Sequence, residues 1–155
     1  MSEFEFSYRS AIGEDFLYYD GPITEVSISA PVPLISYLRD SQLPAYAVIS
    51  GLAIIDTGAS VSVLDENVML GLEIPFLDTI WTDTIHGTAE TKRYNASVSF
   101  PGLQLADVPL NYVPGGNVRA STNFGGDVIM LLGRDLLRRF TMTYDGPNSK
   151  VKIAT

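Results

Sequence analysis

Short runs of Val, Ile, Thr, Tyr and Phe, broken by Gly, Pro, Asn and Asp, recur along the whole chain. That rhythm belongs to short strands joined by turns and predicts an all-β domain. Val26 and Ile28 alternate with Glu25, Ser27 and Ser29, the pattern of a strand with one buried face. Pro31, Pro33 and Pro44 argue against a central strand over 31–45, where the spacing of Leu34, Tyr37 and Leu38 predicts a short amphipathic helix. Residues 46–55 read as an apolar strand interrupted at Ser50-Gly51. Residues 61–64 read as another strand, and 66–72 as a helical turn ended near Gly71.

Residues 78–86 and 91–100 form two strand-like runs around His86-Gly87-Thr88, which predicts a hairpin with its tip near Gly87. Trp81 and Tyr94, within those runs, read as core residues. Leu103, Leu105, Val108, Leu110 and Val113 predict a further strand or pair. Pro114-Gly115-Gly116-Asn117 reads as a break and 115–126 as a loop. Residues 128–132 are a buried apolar run. Residues 133–139 predict a short helix with Leu136 and Leu137 turned inward and its arginines outward. Residues 140–144 and 150–154 then close the domain around the turn Asp145-Gly146-Pro147-Asn148. The aromatics Phe4, Phe6, Tyr8, Phe16, Tyr18 and Tyr19 suit either an edge strand or a cover over a cleft. With no repeat or linker in view, the expectation is one domain over 1–155, with a core from about 20 onward and residues 1–20 as an N-terminal extension.

Composition narrows the function classes. The chain has 155 residues, 46% hydrophobic and 18% charged, which suits a folded domain rather than a disordered one. A net charge of −8 argues against nucleic acid or an anionic membrane as partner, since both require a basic footprint. Lys92, Arg93 and Arg119 do not cluster into one. The absence of cysteine removes disulfides, thiol catalysis and thiolate metal sites. A single histidine, His86, removes His-rich metal centres, so no metal or cofactor is expected. The N-terminus MSEFEFSYRS carries acids where a secretory signal has basic residues, and no apolar run approaches the ~18–20 residues of a membrane span. The expected location is the cytoplasm.

One stretch departs from packing logic. In AIIDTGASVSVL, residues 53–64, Asp56 sits at the mouth of an apolar strand, where a carboxylate is costly to bury unless donors satisfy it. Gly58 can offer its backbone N–H and turn the chain, and Thr57 adds a hydroxyl. A strand ending in an Asx-type turn is the plainer account of this triplet. A site that holds Asp56 rigidly toward a cleft is the other.

Taken with a second apolar-apolar-Gly element downstream, this stretch closely resembles the retropepsins, the retroviral-type aspartic peptidases and their cellular and bacterial relatives. The matching residues are Ile54-Ile55-Asp56-Thr57-Gly58-Ala59-Ser60 and Leu131-Leu132-Gly133-Arg134-Asp135-Leu136-Leu137. The hairpin 80–94 lies between them, where that family carries its flap. The resemblance covers about residues 46–145 and implies a retropepsin-like acid protease fold: a closed, barrel-like β half with one short C-terminal helix. It leaves residues 1–20 and 31–45 unaccounted for.

Metal-free peptide hydrolysis requires one group to take a proton from water and another to give one to the substrate. Two carboxyls sharing a proton can do both, yet this chain holds one Asp-Thr-Gly. The resemblance therefore implies an isologous C2 homodimer with one active site at the interface, acting on peptide or protein substrates. Asp56 would be catalytic. Thr57, Gly58, Ala59 and Ser60 would support its loop, Thr57 by bonding across the axis and Gly58 by giving the substrate backbone room. Ala59 stands where related enzymes carry a hydroxyl that favours the ionised acid, so a mildly acidic optimum is expected. Ile85, His86, Gly87 and Thr88 would form the flap tip, with His86 an exposed hairpin residue rather than a catalytic one. Leu131, Leu132, Gly133 and Arg134 would brace the Asp56 loop from below. Many retroviral members carry an acid where Ser60 stands, so Arg134 must find another partner: Asp135, Asp65 or a backbone carbonyl. The rival readings are a catalytically inactive dimerisation or peptide-binding module on the same fold and, more distantly, phosphoryl transfer through an aspartyl phosphate.

Overall fold

The computed structural model describes residues 1–84 and 86–155. In chain order its strands are β1 (Glu3–Ser7), β2 (Ile23–Ser29), β3 (Ile49–Ile55), β4 (Val63–Asp65), β5 (Asp78–Thr84), β6 (Gly87–Phe100), β7 (Leu105–Gly116), β8 (Ala120–Ser121), β9 (Asp127–Leu132), β10 (Thr141–Asp145) and β11 (Lys150–Ala154). Four short helices join them: α1 (Phe16–Tyr19), α2 (Val32–Asp40), α3 (Glu66–Gly71) and α4 (Arg134–Leu137).

The strands follow the order β2-β3-β9-β4-β7-β6, and β6 returns to pair with β2, so these six close into a barrel. The fold is thus all-β, as the alternation of apolar and polar positions predicts. Inward positions pack as one core that includes Ile23, Val26, Ile28, Ala53, Leu64, Tyr94, Val98, Phe100, Met130 and Leu132. The pairing β3–β9 is parallel, with Ile54 beside Leu131 and Ile55 beside Leu132. It places the two sequence motifs next to each other at the same end of the barrel. A separate antiparallel sheet, β1-β11-β10, carries both ends of the chain.

Several expectations are corrected. Ser50-Gly51 does not interrupt β3. Gly51 lies where a Cβ would come within 2.9 Å of the Ile129 side chain, so the glycine serves close strand packing rather than a turn. The strand begins at Ile49 rather than at 46, and β4 begins at Val63 rather than at 61. Pro114-Gly115-Gly116 is not a break: all three residues continue β7, and Gly115 and Gly116 pair in parallel with Leu64 and Asp65. A Cβ on Gly115 would meet the Tyr94 ring at 2.9 Å, and one on Gly116 would meet Val63 at 2.9 Å. In both places the glycine signal means proximity, which composition cannot tell from a turn. The second hairpin strand starts at Gly87, not at 91. Trp81 is 74% exposed and is not core, whereas Tyr94 is buried. The predicted helix over 31–45 is α2, with Leu34 and Ile35 against the core, and α4 matches the predicted short C-terminal helix.

Among the N-terminal aromatics, Phe4 and Phe6 lie on β1, an edge strand antiparallel to β11. Phe16, Tyr18 and Tyr19 form α1 instead of a strand. Tyr8 is buried; its N–H donates to the Ser149 carbonyl at 2.9 Å and its hydroxyl to the Ile23 carbonyl. Burial pushes the Tyr8 phenol up to about 12, so it remains a neutral donor at any ordinary pH. Phe124 packs on both the Tyr8 and Phe16 rings.

Candidate active site

Asp56 is the first residue after β3. Its backbone N–H donates to the Leu132 carbonyl at 3.0 Å, extending the β3–β9 ladder by one residue. The chain then turns. The Gly58 N–H donates to Asp56 Oδ1 at 2.8 Å, and the Ala59 N–H to the Asp56 carbonyl at 3.3 Å. A Cβ on Gly58 would lie 3.0 Å from that same Oδ1. A side chain there would crowd the carboxylate that the backbone holds. This is how an acid rests at the end of an apolar strand: it is half-buried, and a fixed N–H dipole satisfies one of its oxygens.

The segment after β9 clasps this turn. The Arg134 N–H donates to the Ala59 carbonyl at 2.9 Å. Its guanidinium Nη1 donates to the Thr57 carbonyl at 2.9 Å and the Gly58 carbonyl at 3.3 Å. Of the three partners open to Arg134 in the sequence, the structure selects backbone carbonyls, and they belong to the Asp-Thr-Gly turn itself. Gly133 is buried so tightly that a Cβ would fall 2.5 Å from the Val61 carbonyl carbon, a backbone atom that cannot swing away.

Two residues that sequence reasoning did not single out for the site complete the clasp. The Ser62 hydroxyl donates to Asp135 Oδ1 at 2.7 Å, and the Ser62 N–H donates to the same oxygen at 2.9 Å. The Gly133 N–H donates to the Ser62 hydroxyl at 3.0 Å, and the Leu136 N–H to Asp135 Oδ1 at 3.0 Å. The sequence offers Asp135 only as a partner for Arg134, and it serves Ser62 instead. Its link to Ser62 across 73 positions is not visible without the fold. Ser60 is exposed at the rim, with Thr57, Gly58 and Val61 exposed around it. Leu132 is buried beneath the turn, while Leu131 is half-buried between Ile54 and Val63.

The expected flap is the β5–β6 hairpin, paired from Asp78 with Arg93 out to Thr84 with Gly87. Ile85, expected at the tip, lies outside the described residues. The Thr84 hydroxyl donates to the Gly87 carbonyl at 2.7 Å and accepts from the His86 N–H at 3.2 Å. The Thr88 hydroxyl reaches Asp83 at 3.2 Å. Gly87 has φ +110°, a conformation open to glycine, and among the described residues beyond its chain neighbours no atom lies within 4 Å of a Cβ built there. His86 and Thr88 are exposed. At the base, Arg93 forms a two-pronged pair with Asp78, one contact being 2.7 Å, and lies over the Tyr112 ring. The guanidinium holds the Asp78 carboxyl below its usual range. Among the described residues no hydrogen bond joins this hairpin to the Asp56 turn. The structure thus brings together Asp56–Ser60 and Leu131–Arg134, while His86, Gly87 and Thr88 make no hydrogen bond to them among the described residues.

Among the described residues, no group of three or more His, Cys, Asp or Glu side chains is placed to hold a metal ion. No helix is long and apolar enough to cross a membrane.

Comparison with known proteins gives the family. The sequence model of a family described as aspartyl protease matches residues 49–136, more than half of the chain. The span contains the Asp56 turn, the hairpin and the Gly133-Arg134-Asp135 clasp. The chain belongs to the aspartyl protease family. Among solved structures it is similar to a retropepsin-like aspartic protease from Rickettsia conorii, at 16% sequence identity and a TM-score of 0.46, covering 98% of this chain and 90% of that one. No curated protein matches the sequence.

Proposed function

We propose that the chain is one half of an aspartic endopeptidase, in which water is activated between Asp56 and the Asp56 of a second copy in a C2 homodimer. The observation that carries this reading is the fixed presentation of a single acid. Asp56 is oriented by the Gly58 N–H, locked from below by Gly133 and Arg134, and flanked by the exposed residues Thr57, Gly58, Ser60 and Val61. One carboxyl cannot both take and give a proton in a single step. Two held about 3 Å apart do so because only one ionises readily, the arrangement common to aspartic proteases as a class. The ionised member takes a proton from water as its oxygen attacks the peptide carbonyl carbon, and the protonated member gives its proton to the carbonyl oxygen. The adduct then collapses: one of its hydroxyls returns a proton to the second carboxylate, while the first passes the water proton to the leaving amine and the C–N bond breaks.

Within this reading Thr57 bonds across the two-fold axis, Gly58 leaves room for the substrate backbone, and Leu131 to Arg134 brace the turn. The β5–β6 hairpin, with His86, Gly87 and Thr88 near its tip, covers the bound peptide and excludes water. Ala59 offers no hydroxyl to the acid, which favours a mildly acidic optimum. The test is cleavage of an unfolded protein at pH ~4–6, the range of carboxyl-pair titration, with Asp56→Asn and Asp56→Ala alongside. Cleavage by the wild type alone is expected. Activity that persists in both variants belongs to a contaminant, and a dimer that binds peptide without cutting it is the inactive-module reading.

A further inference from the structure

Strand β6 lies beside β2 only at Ser27–Ser29. Pro101 has no N–H with which to continue the ladder, and the chain turns away through Pro101–Leu103. Among the described residues β3 is the other strand that pairs with β2, so Ile23–Val26 keep one edge without a strand. An apolar cavity of about 300 Å³ lies against this segment, walled by Phe6, Tyr8, Ile23, Leu52 and Phe124. That volume is at the low end for small-molecule sites. None of the lining residues belongs to the Asp56 turn or to its clasp.

Two polar features interrupt the apolar lining. Thr24 is 3% exposed, and its Oγ1 has no hydrogen-bond partner among the described residues. A buried hydroxyl left without a partner is costly, and such groups call for an explanation. Gly102 keeps this end open. A Cβ there would stand 3.0 Å from the Phe6 ring and 3.6 Å from Thr24 Oγ1, so ring and hydroxyl face the same spot. At the solvent side the cavity is lined by two exposed carboxylates, Glu5 and Glu25, and no lysine or arginine is among its lining residues. Glu5 is engaged by Lys150 at 2.7 Å and by Lys152 at 3.5 Å. Glu25 makes no ion pair among the described residues.

We propose that this cavity binds a small amine carried on a phenol ring, with the phenolic hydroxyl on Thr24 and the ammonium on Glu25. The ring packs among Phe6, Tyr8, Leu52 and Phe124, where aromatic neighbours favour an aromatic guest. A phenol both gives and takes a hydrogen bond, so it completes a hydroxyl that has neither. The half-buried Phe6 ring, which stands beside that hydroxyl, turns aside as the guest enters. The ammonium supplies the cation that the acidic mouth lacks. A guest of the same shape without the hydroxyl leaves Thr24 unpaired, and one with a carboxylate in place of the amine meets like charge.

Three probes separate these contributions in calorimetric titrations of the full chain, with amide NMR shifts at Thr24 and Phe124 reporting the place. Tyramine should saturate the site. Phenethylamine, which lacks the hydroxyl, and 3-(4-hydroxyphenyl)propionate, which carries the opposite charge, should each bind at least about tenfold more weakly. In Thr24→Val the preference for tyramine over phenethylamine should vanish while the acid stays disfavoured, and Thr24→Ser should restore that preference. In Glu25→Gln the preference for the hydroxyl should survive and the penalty on the acid should shrink. The free Thr24→Val protein should melt at or above the wild-type temperature, because no hydrogen bond is lost. Absence of saturation by tyramine, equal affinity for the three probes, or a tyramine preference that persists in Thr24→Val overturns the proposal. So does a clear fall in the melting temperature of Thr24→Val, which would mean that the hydroxyl is already bonded within the protein.

Discussion

The Asp56 turn and the β5–β6 hairpin are both loops with a glycine at the bend, and they are built in opposite ways. Around Asp56 the bends are filled: Gly133 has backbone 2.5 Å from where a Cβ would stand, and Arg134, Ser62 and Asp135 tie the turn to the next strand. Among the described residues beyond its chain neighbours nothing stands within 4 Å of a Cβ at Gly87, and the hydrogen bonds stay within the hairpin. The first glycine is required by its neighbours and the second by its own backbone angle. A reacting group gains from being held in place before substrate arrives, whereas a cover must be able to move. The contrast fits the duties proposed for the two loops.

The sharpest way to break the contrast is Asp56→Asn, which keeps the turn's shape and removes the acid. Peptide hydrolysis should fall by at least about 10³-fold, within the range that proton transfer contributes, while the melting temperature stays close to that of the wild type. Next is Gly133→Ala. The added methyl meets backbone, so denaturant unfolding should show a loss of about 3 kcal/mol. Gly87→Ala meets no atom of the described residues and carries only the local strain of a positive φ, so the same measurement should show a smaller loss, about 1–2 kcal/mol. Near-equal losses would erase the distinction drawn here. Asp135→Ala leaves the Ser62 hydroxyl, the Ser62 N–H and the Leu136 N–H without their shared acceptor, and should cost about 2 kcal/mol. Its kcat should fall with little change in KM, because the loop that aims Asp56 loosens.

The smallest effect concerns acidity at the hairpin base. Asp78 has its folded pKa lowered, chiefly by its hydrogen bond from Arg93. Its contribution to holding the hairpin is therefore present above the unfolded carboxyl pKa of about 3.9 and is lost as pH falls through the lower folded value. Trp81 fluorescence followed down in pH should remain constant through the mildly acidic range and change only below it. In Asp78→Asn that change should be absent.

Much of this was legible in the chain. The strands and turns followed from alternation and punctuation, and the two motifs pointed to each other before any fold was known. What stayed hidden was long-range. Gly51, Gly115 and Gly116 read as turn formers because composition cannot tell a bend from a close approach. Trp81 read as core because it lies in a strand of mixed pattern, and only the position of β5 outside the barrel exposes it. The role of Asp135 was out of reach because its partner, Ser62, lies on a different strand connection.

The 14-residue strand β6 runs from the barrel wall into the hairpin without a break, a length of about 45 Å at the usual rise per residue. Its inner part is bonded to β7 and β2, and its outer part to β5. Mechanically it is a cantilever: the anchored portion resists bending and the overhang deflects. A load applied near His86 would be felt as torque where the overhang begins, just beyond Arg93, the last residue toward the tip that pairs with β7. If the hairpin closes over a peptide as proposed, the stiffness of that span rather than any residue at the tip limits its travel.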